Sequence, residues 1–278
     1  MATYLGTKAN KKRMNNILKE NPLAVITGAS SGLGMCYARQ LAAAGCDLML
    51  VARRKYVLDS LKEELEKQFP ISVEPVQADL SKLEDIRMVE EKIRNSPRVL
   101  YMVNNAGFGV LDNGVEKNTE MITVHNIATM RLSRAAMIPM QVNRKGYIIN
   151  VASVAGFIAS RGSADYCATK AFVIVYSRSL QCDCSPHGIH VQALCPGFVR
   201  TGFHDTETML GTPIKKNVPN FLWLQADWVV RKSLSQVRKK VFRRVTYVPS
   251  LIYKVIACLE SSVILSPLRI LFSGGKIR

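Results

Sequence analysis

The 278-residue sequence predicts an α/β protein built on one doubly wound parallel sheet with helices on both faces. Three observations carry that prediction. From Leu23 to Leu194, short apolar runs alternate with longer stretches of helical periodicity. The runs are apolar throughout rather than at every second residue, as strands buried on both faces are. The first run stops at a glycine-rich turn that opens a helix.

Taken in order, residues 23–27 form the first strand, stopped by Gly28, and residues 32–44 a helix ended by Gly45. Residues 47–52 are the second strand. Residues 57–69 place Leu58, Leu61 and Leu65 on one helical face and end at Pro70. A third strand over 73–78 precedes a charged amphipathic helix over 83–93. Strands at 99–103, 147–151 and 189–194 are separated by helices over 119–140 and 164–184. After Asp227 as N-cap, residues 228–241 have apolar side chains at 230, 234, 237 and 241 with basic ones between. Residues 244–249 complete the sheet. In such sheets ligands sit beyond the carboxyl ends of the strands, where the strand order reverses.

Composition bounds the rest. Seven cysteines, an odd number, argue against a disulfide framework and for a reducing, cytoplasmic setting. The basic segment 8–13 is followed by no unbroken apolar run, so no signal peptide is expected. The stretch 245–272 is interrupted by Lys254, Glu260, Pro267 and Arg269, short of the ~18 uncharged residues a membrane span needs. The formal charge of +17 divides as +4 over residues 1–20, +3 over 21–199 and +10 over 200–278. The middle is electrostatically ordinary, and no stacking platform accompanies the basic ends, so no nucleic-acid partner is expected. The organisation read from this is a basic extension (1–20), a catalytic domain (21–250) with a substrate loop at about 202–226, and an apolar, basic tail (251–278). The basic helix over 228–241 either packs on the sheet or gives peripheral contact with an anionic membrane surface.

The chemistry lies in four motifs. Thr27-Gly28-Ala-Ser-Ser-Gly32-Leu-Gly34 joins a strand to a helix, where glycines admit a pyrophosphate to backbone N–H groups; its spacing differs from G-x-G-x-x-G, and a plain tight turn is the alternative. The second strand ends Ala52-Arg53-Arg54 with no carboxylate for a ribose 2′-hydroxyl, which favours a 2′-phosphate and hence NADP(H). Asn104-Asn105-Ala106-Gly107 follows the fourth strand and Ser153 the fifth. Tyr166 and Lys170 are four apart on a helix, so phenol and ammonium share a face. A neighbouring ammonium lowers a phenol's pKa and suits it to proton donation.

In this order, over residues 21–202, these motifs resemble the short-chain dehydrogenase/reductase family. The resemblance implies a single Rossmann-type domain moving hydride between NADP(H) and a carbonyl carbon. It implies Tyr166 as general acid in reduction, Lys170 lowering its pKa and holding the nicotinamide ribose, and Ser153 bonding the substrate oxygen. It places Gly28, Ser30, Ser31, Gly32, Leu33 and Gly34 at the cofactor phosphates and Arg53 at the 2′-phosphate. Asp79 and Leu80 fall near adenine, and Asn105, Ala106 and Gly107 beside the adenosine ribose. Pro196, Gly197, Val199 and Thr201 match the segment that contacts nicotinamide. Many members carry a fourth catalytic residue, an Asn in the helix after the fourth strand. Ungapped alignment puts His125 there and a one-residue shift puts Asn126 there; adjacent helical positions point ~100° apart, so both cannot face the site equally. Either His125 holds the relay water that the family's Asn holds, or one of the two only caps or packs.

Phe203, Met209, Leu210, Phe221, Leu222 and Trp223 suit a lipophilic carbonyl such as a steroid or 3-oxoacyl chain. The tail is similar in style to bacterial reductases related to hydroxysteroid and long-chain acyl reductases. Family likeness also implies a homodimer or tetramer. The rival reading is an NADP-binding scaffold or redox sensor with impaired catalysis, supported only by the irregularity at His125 and Asn126. Cys182 and Cys184 lack a second pair for zinc, and Cys167 reads as packing.

Overall fold

The computed structural model describes residues 21–110, 114–159, 162–205, 218–239 and 244–261. Strands β1 (Leu23–Thr27), β2 (Asp47–Ala52) and β3 (Val73–Gln77) alternate with helices α1 (Gly32–Ala42), α2 (Lys55–Gln68) and α3 (Leu83–Arg94). Strand β4 (Val99–Asn104) leads to α4 (Gly114–Ile122), a π-helical turn (Thr123–Ala128) and α5 (Thr129–Asn143). Strand β5 (Gly146–Val151), helix α6 (Ala164–Cys184) and strand β6 (Ile189–Leu194) follow. Short strands β7 (Val199–Arg200) and β8 (Leu224–Gln225) pair with each other; then come α7 (Ala226–Val237), β9 (Thr246–Tyr247) and α8 (Leu251–Ser261).

The main sheet runs β3-β2-β1-β4-β5-β6-β9 with every pair parallel. Chain order reverses between β1 and β4, which opens the crevice at their carboxyl ends. The period-2 geometry of the strands divides their apolar side chains between two cores. Ala24, Ile26, Leu48 and Leu50 meet Tyr37 and Leu41 of α1 and Val230 and Leu234 of α7. Val25, Met49, Met102 and Ile148 meet Ile86 and Val89 of α3 and Leu132 and Ala136 of α5. Strands that feed both cores have no polar side, which is why the sequence shows apolar runs instead of alternation.

Four expectations are corrected. Strand β3 is not apolar throughout: Glu74 and Gln77 are exposed, because β3 is the sheet edge, where Pro75 is also tolerated. The long helix expected over 119–140 is broken by the π turn at Thr123–Ala128. Helix α7 starts earlier, with Gln225 as N-cap. Asp227 lies inside its first turn, where its carboxylate accepts from Gln40 Nε2 at 2.6 Å. Strand β9 is two residues long where six were expected. Val229, Val230, Leu234 and Val237 of α7 are buried, so its apolar face is spent on the domain and not on a membrane. Residue 241, the extension 1–20, the loop residues 206–217 with Met209 and Leu210, and the tail beyond 261 lie outside the described residues. Among the described residues no helix is long and apolar enough to cross a membrane.

Candidate active site

The carboxyl ends of β1, β2, β4, β5 and β6 open on one cavity of about 760 Å³. Every residue the sequence placed at the cofactor lines it except Gly34.

The β1–α1 turn forms one wall. Gly28 and Gly32 have φ of +65° and +55°, a region in which a side chain is strained. Gly34 lies beneath the turn, where a Cβ would collide with the Gly28 carbonyl oxygen. Gly34→Ala should therefore cost about 1–3 kcal/mol of stability, read as a lower urea midpoint, and weaken nucleotide binding. Ser31 is the N-cap of α1 but makes no side-chain cap bond, so the first-turn N–H groups are left to a ligand at the cavity. The turn is pinned to the β4 end from behind. Thr27 Oγ1 accepts from the N–H groups of Asn105 and Ala106, both at 3.0 Å. Asn105 Nδ2 donates to the carbonyls of Thr27 and Gly28 at 2.9 and 3.2 Å. The Asn105 amide thus holds the loop, and only the rest of this segment is free to face a ribose.

At the end of β2, the exposed Arg54 is tied to the glycine turn: its guanidinium donates to Ser30 Oγ at 2.9 Å. Arg53 is exposed at the cavity and faces Asp79. Burial pushes the Asp79 carboxyl up, but bonds from Ser81 and the charges of Arg53 and Lys82 outweigh it and leave it low. A cationic end and a glycine-lined, donor-rich centre fit a phosphorylated dinucleotide.

Ser153, Tyr166 and Lys170 converge at the other end. Ser153 follows β5 and caps a 3-10 turn, its Oγ accepting from Ala155 N–H at 3.1 Å, and it hydrogen-bonds the Tyr166 phenol. Lys170 Nζ donates to Val151 O at 3.2 Å and lies 5.7 Å from the Tyr166 ring centroid. Helical spacing brings the two residues together as expected, but the expected effect on the phenol does not follow. Burial pushes Tyr166 up to about 12, against the lowering Ser153 bond. Burial also brings Lys170 down to about 8. The ammonium serves the ring face and the Val151 carbonyl, so desolvation governs both groups.

His125, not Asn126, stands beside Tyr166: the rings meet edge-on, centroids 5.8 Å apart. His125 is 1% exposed and sits behind the cavity wall formed by Gly107 and Phe108. Other wall residues carried no local sequence signal. Tyr253 comes from α8 and packs so tightly on Gly197 that a Cβ there would enter its ring. Its hydroxyl donates to Leu222 O at 2.8 Å and accepts from Phe198 N–H at 3.1 Å, joining the helix to the substrate end.

A family model described as short chain dehydrogenase matches residues 22–209. The chain belongs to the short chain dehydrogenase family. As a member it is an oxidoreductase of alcohol and carbonyl groups. It is 32% identical over 186 residues to an NADP-dependent 3-hydroxy acid dehydrogenase of Schizosaccharomyces pombe, covering 64% of this chain and 72% of that one. It is 30% identical over 189 residues to a very-long-chain 3-oxoacyl-CoA reductase of Danio rerio, covering 64% of this chain and 58% of the reductase, less than two thirds of its length. In structure it is similar to a short-chain dehydrogenase from Sphingobium yanoikuyae in complex with NADPH. The TM-score is 0.74 at 30% identity, over 92% of this chain and 98% of that one. A bulky-bulky ketone specific alcohol dehydrogenase from Comamonas testosteroni gives 0.74 at 27% identity, over 92% and 96%. Short chain dehydrogenase membership accounts for the strand order of the main sheet.

Proposed function

We propose that the protein reduces a bulky, lipophilic ketone with NADPH, Tyr166 giving the proton to the carbonyl oxygen. The observation that carries this reading is the convergence of Ser153, Tyr166 and Lys170 at one end of a cavity whose other end holds Arg53 and Arg54. The cofactor is NADP(H), and when bound it supplies the hydride. The chain's own residues do the rest. Ser153 Oγ, held by Ala155 N–H, holds the carbonyl oxygen next to the phenol. Burial keeps Tyr166 protonated, the form that donates in reduction. Lys170, beside the phenol, would bind the nicotinamide ribose and restore the phenol's proton. The substrate end is apolar, with Phe198, Phe203, Leu222 and Ile256 on the wall, and it suits steroid, 3-oxoacyl or other bulky ketones.

Two measurements test this reading. A panel of steroid, 3-oxoacyl and aldehyde carbonyls should oxidise NADPH, with bulky ketones turned over fastest; no oxidation with any of them contradicts it. Arg53→Ala should weaken NADPH binding by about ten- to a hundredfold and leave NADH binding unchanged, as expected for a charge-assisted phosphate contact. Peripheral lipid contact is supported not by α7 but by the exposed Leu251 and Val255 of α8 and the neighbouring Phe221. It is read as salt-sensitive binding to anionic vesicles. A homo-oligomer is supported by Ile138 and Val142 of α5 and Phe172 and Val175 of α6, all exposed, and is read by sedimentation.

A further inference from the structure

The position taken by His125 has a geometry that fixes its role. Its Nε2 accepts from the Phe108 N–H at 3.2 Å. Its Nδ1 lies 2.9 Å from Thr169 Oγ1. The one hydroxyl hydrogen of Thr169 goes to the Tyr166 carbonyl at 2.8 Å, so Oγ1 can only accept from the ring. Both constraints select the same species, a neutral imidazole with its hydrogen on Nδ1. Burial and the nearby Lys170 ammonium hold the ring well below the ordinary imidazole range, in agreement. The titratable groups facing it are Tyr166 and Lys170, both on α6. Neither ring nitrogen has capacity left for a water, and the ring lies behind the cavity wall. Gly107 admits it there: a Cβ would come within 2.6 Å of Nε2.

We propose that His125 is a positioning residue that relays no proton to or from Tyr166. It ties the Asn105–Phe108 segment, which forms the cavity floor, to helix α6 through Thr169 and the Tyr166 backbone. The π turn at Thr123–Ala128 supplies the offset that points the ring into this gap. Where the family resemblance led one to expect an Asn, the chain has a bridge between two walls of the site. The proton that Tyr166 donates must then be restored by way of Lys170, without residue 125. This inference rests on the reductase reading for its kinetic consequence and on hydrogen-bond geometry for the rest.

The experiment pairs ring NMR with substitution. With ¹⁵N-labelled histidine, His125, assigned by its absence in His125→Asn, should show one Nδ1–H tautomer that does not titrate between about pH 6 and 9. Titration in that range, with a midpoint shared by a limb of the kcat profile, overturns the proposal. Asn keeps a donor near the Nδ1 position, and Gln an acceptor near the Nε2 position. His125→Asn and His125→Gln should each lower kcat by about ten- to a hundredfold without moving the limbs of the pH profile. Thr169→Val should give a similar loss, and His125→Gln combined with it should lose little more. Fully additive losses, or shifted limbs, overturn the bridge. If the wild-type protein reduces no ketone, the reductase reading fails while the NMR result still decides the tautomer and the bridge.

Discussion

Tyr166→Phe is expected to lower ketone reduction by roughly a hundred- to ten-thousandfold, the range a lost general acid gives, while NADPH still binds. The substitution removes the phenolic oxygen and nothing from the packing: the ring keeps its edge contact with His125 and its place beneath Lys170. Ser153 keeps its bond from Ala155 N–H, so the 3-10 turn that aims its hydroxyl survives. The losses fall on kcat more than on KM, because the proton moves only in the transition state. Single-turnover kinetics together with NADPH fluorescence titration separates the two. Unchanged turnover excludes Tyr166 as the acid.

Lys170→Met should move activity and stability in opposite directions. On the proposed reading, in which Lys170 replenishes Tyr166 and holds the ribose, reduction should fall by about two or more orders of magnitude. Stability at pH 7 should rise. The folded protein lowers Lys170 from 10.5 to about 8 through burial, so native structure disfavours the ammonium. Between those two values the unfolded chain binds more protons than the folded one, and stability gained from Lys170 rises with pH across that window. Below the folded pKa the full cost is present, on the order of 3 kcal/mol. Methionine carries no such cost. Urea unfolding of the two proteins should thus differ most at neutral pH and converge by about pH 10 to 11. A destabilised Lys170→Met at pH 7 would show that the Val151 bond outweighs the desolvation.

The readings that held are those set by local chemistry. Gly28, Gly32 and Gly34 mark a turn whose backbone cannot carry side chains, and that need is written in the residues themselves. Tyr166 and Lys170 lie one helical turn apart, so their meeting follows from helix geometry alone. Strands β1, β2, β4, β5 and β6 were legible because they are interior, and an interior parallel strand is apolar on both faces; their order in the sheet was not read. Edge strand β3 escaped that rule, and so Glu74 and Gln77 fell outside the pattern.

What long-range packing decides was not legible. Nothing near Gly197 announces that Tyr253, more than fifty residues later, will lie on it. The choice between His125 and Asn126 turned on a π turn, which shifts the face of a helix without any glycine or proline to mark it. The cationic pattern of α7 fitted a membrane surface as well as a sheet. Only burial of Val229, Val230 and Leu234 against the domain separates the two. The pKa of Tyr166 was misjudged because spacing shows that an ammonium is near but not how dry the pair is.

The central claim is that the cavity would hold a ketone carbon beside Tyr166, where NADPH, when bound, would supply its hydride. Reduction of a bulky ketone with NADPH deuterated at the transferring position, followed by mass spectrometry of the alcohol, tests it most directly. The account predicts an alcohol one mass unit heavier, with the deuterium on the carbinol carbon and no incorporation there from heavy water. An alcohol whose carbinol hydrogen comes from solvent, or NADPH consumed with no alcohol formed, would contradict it.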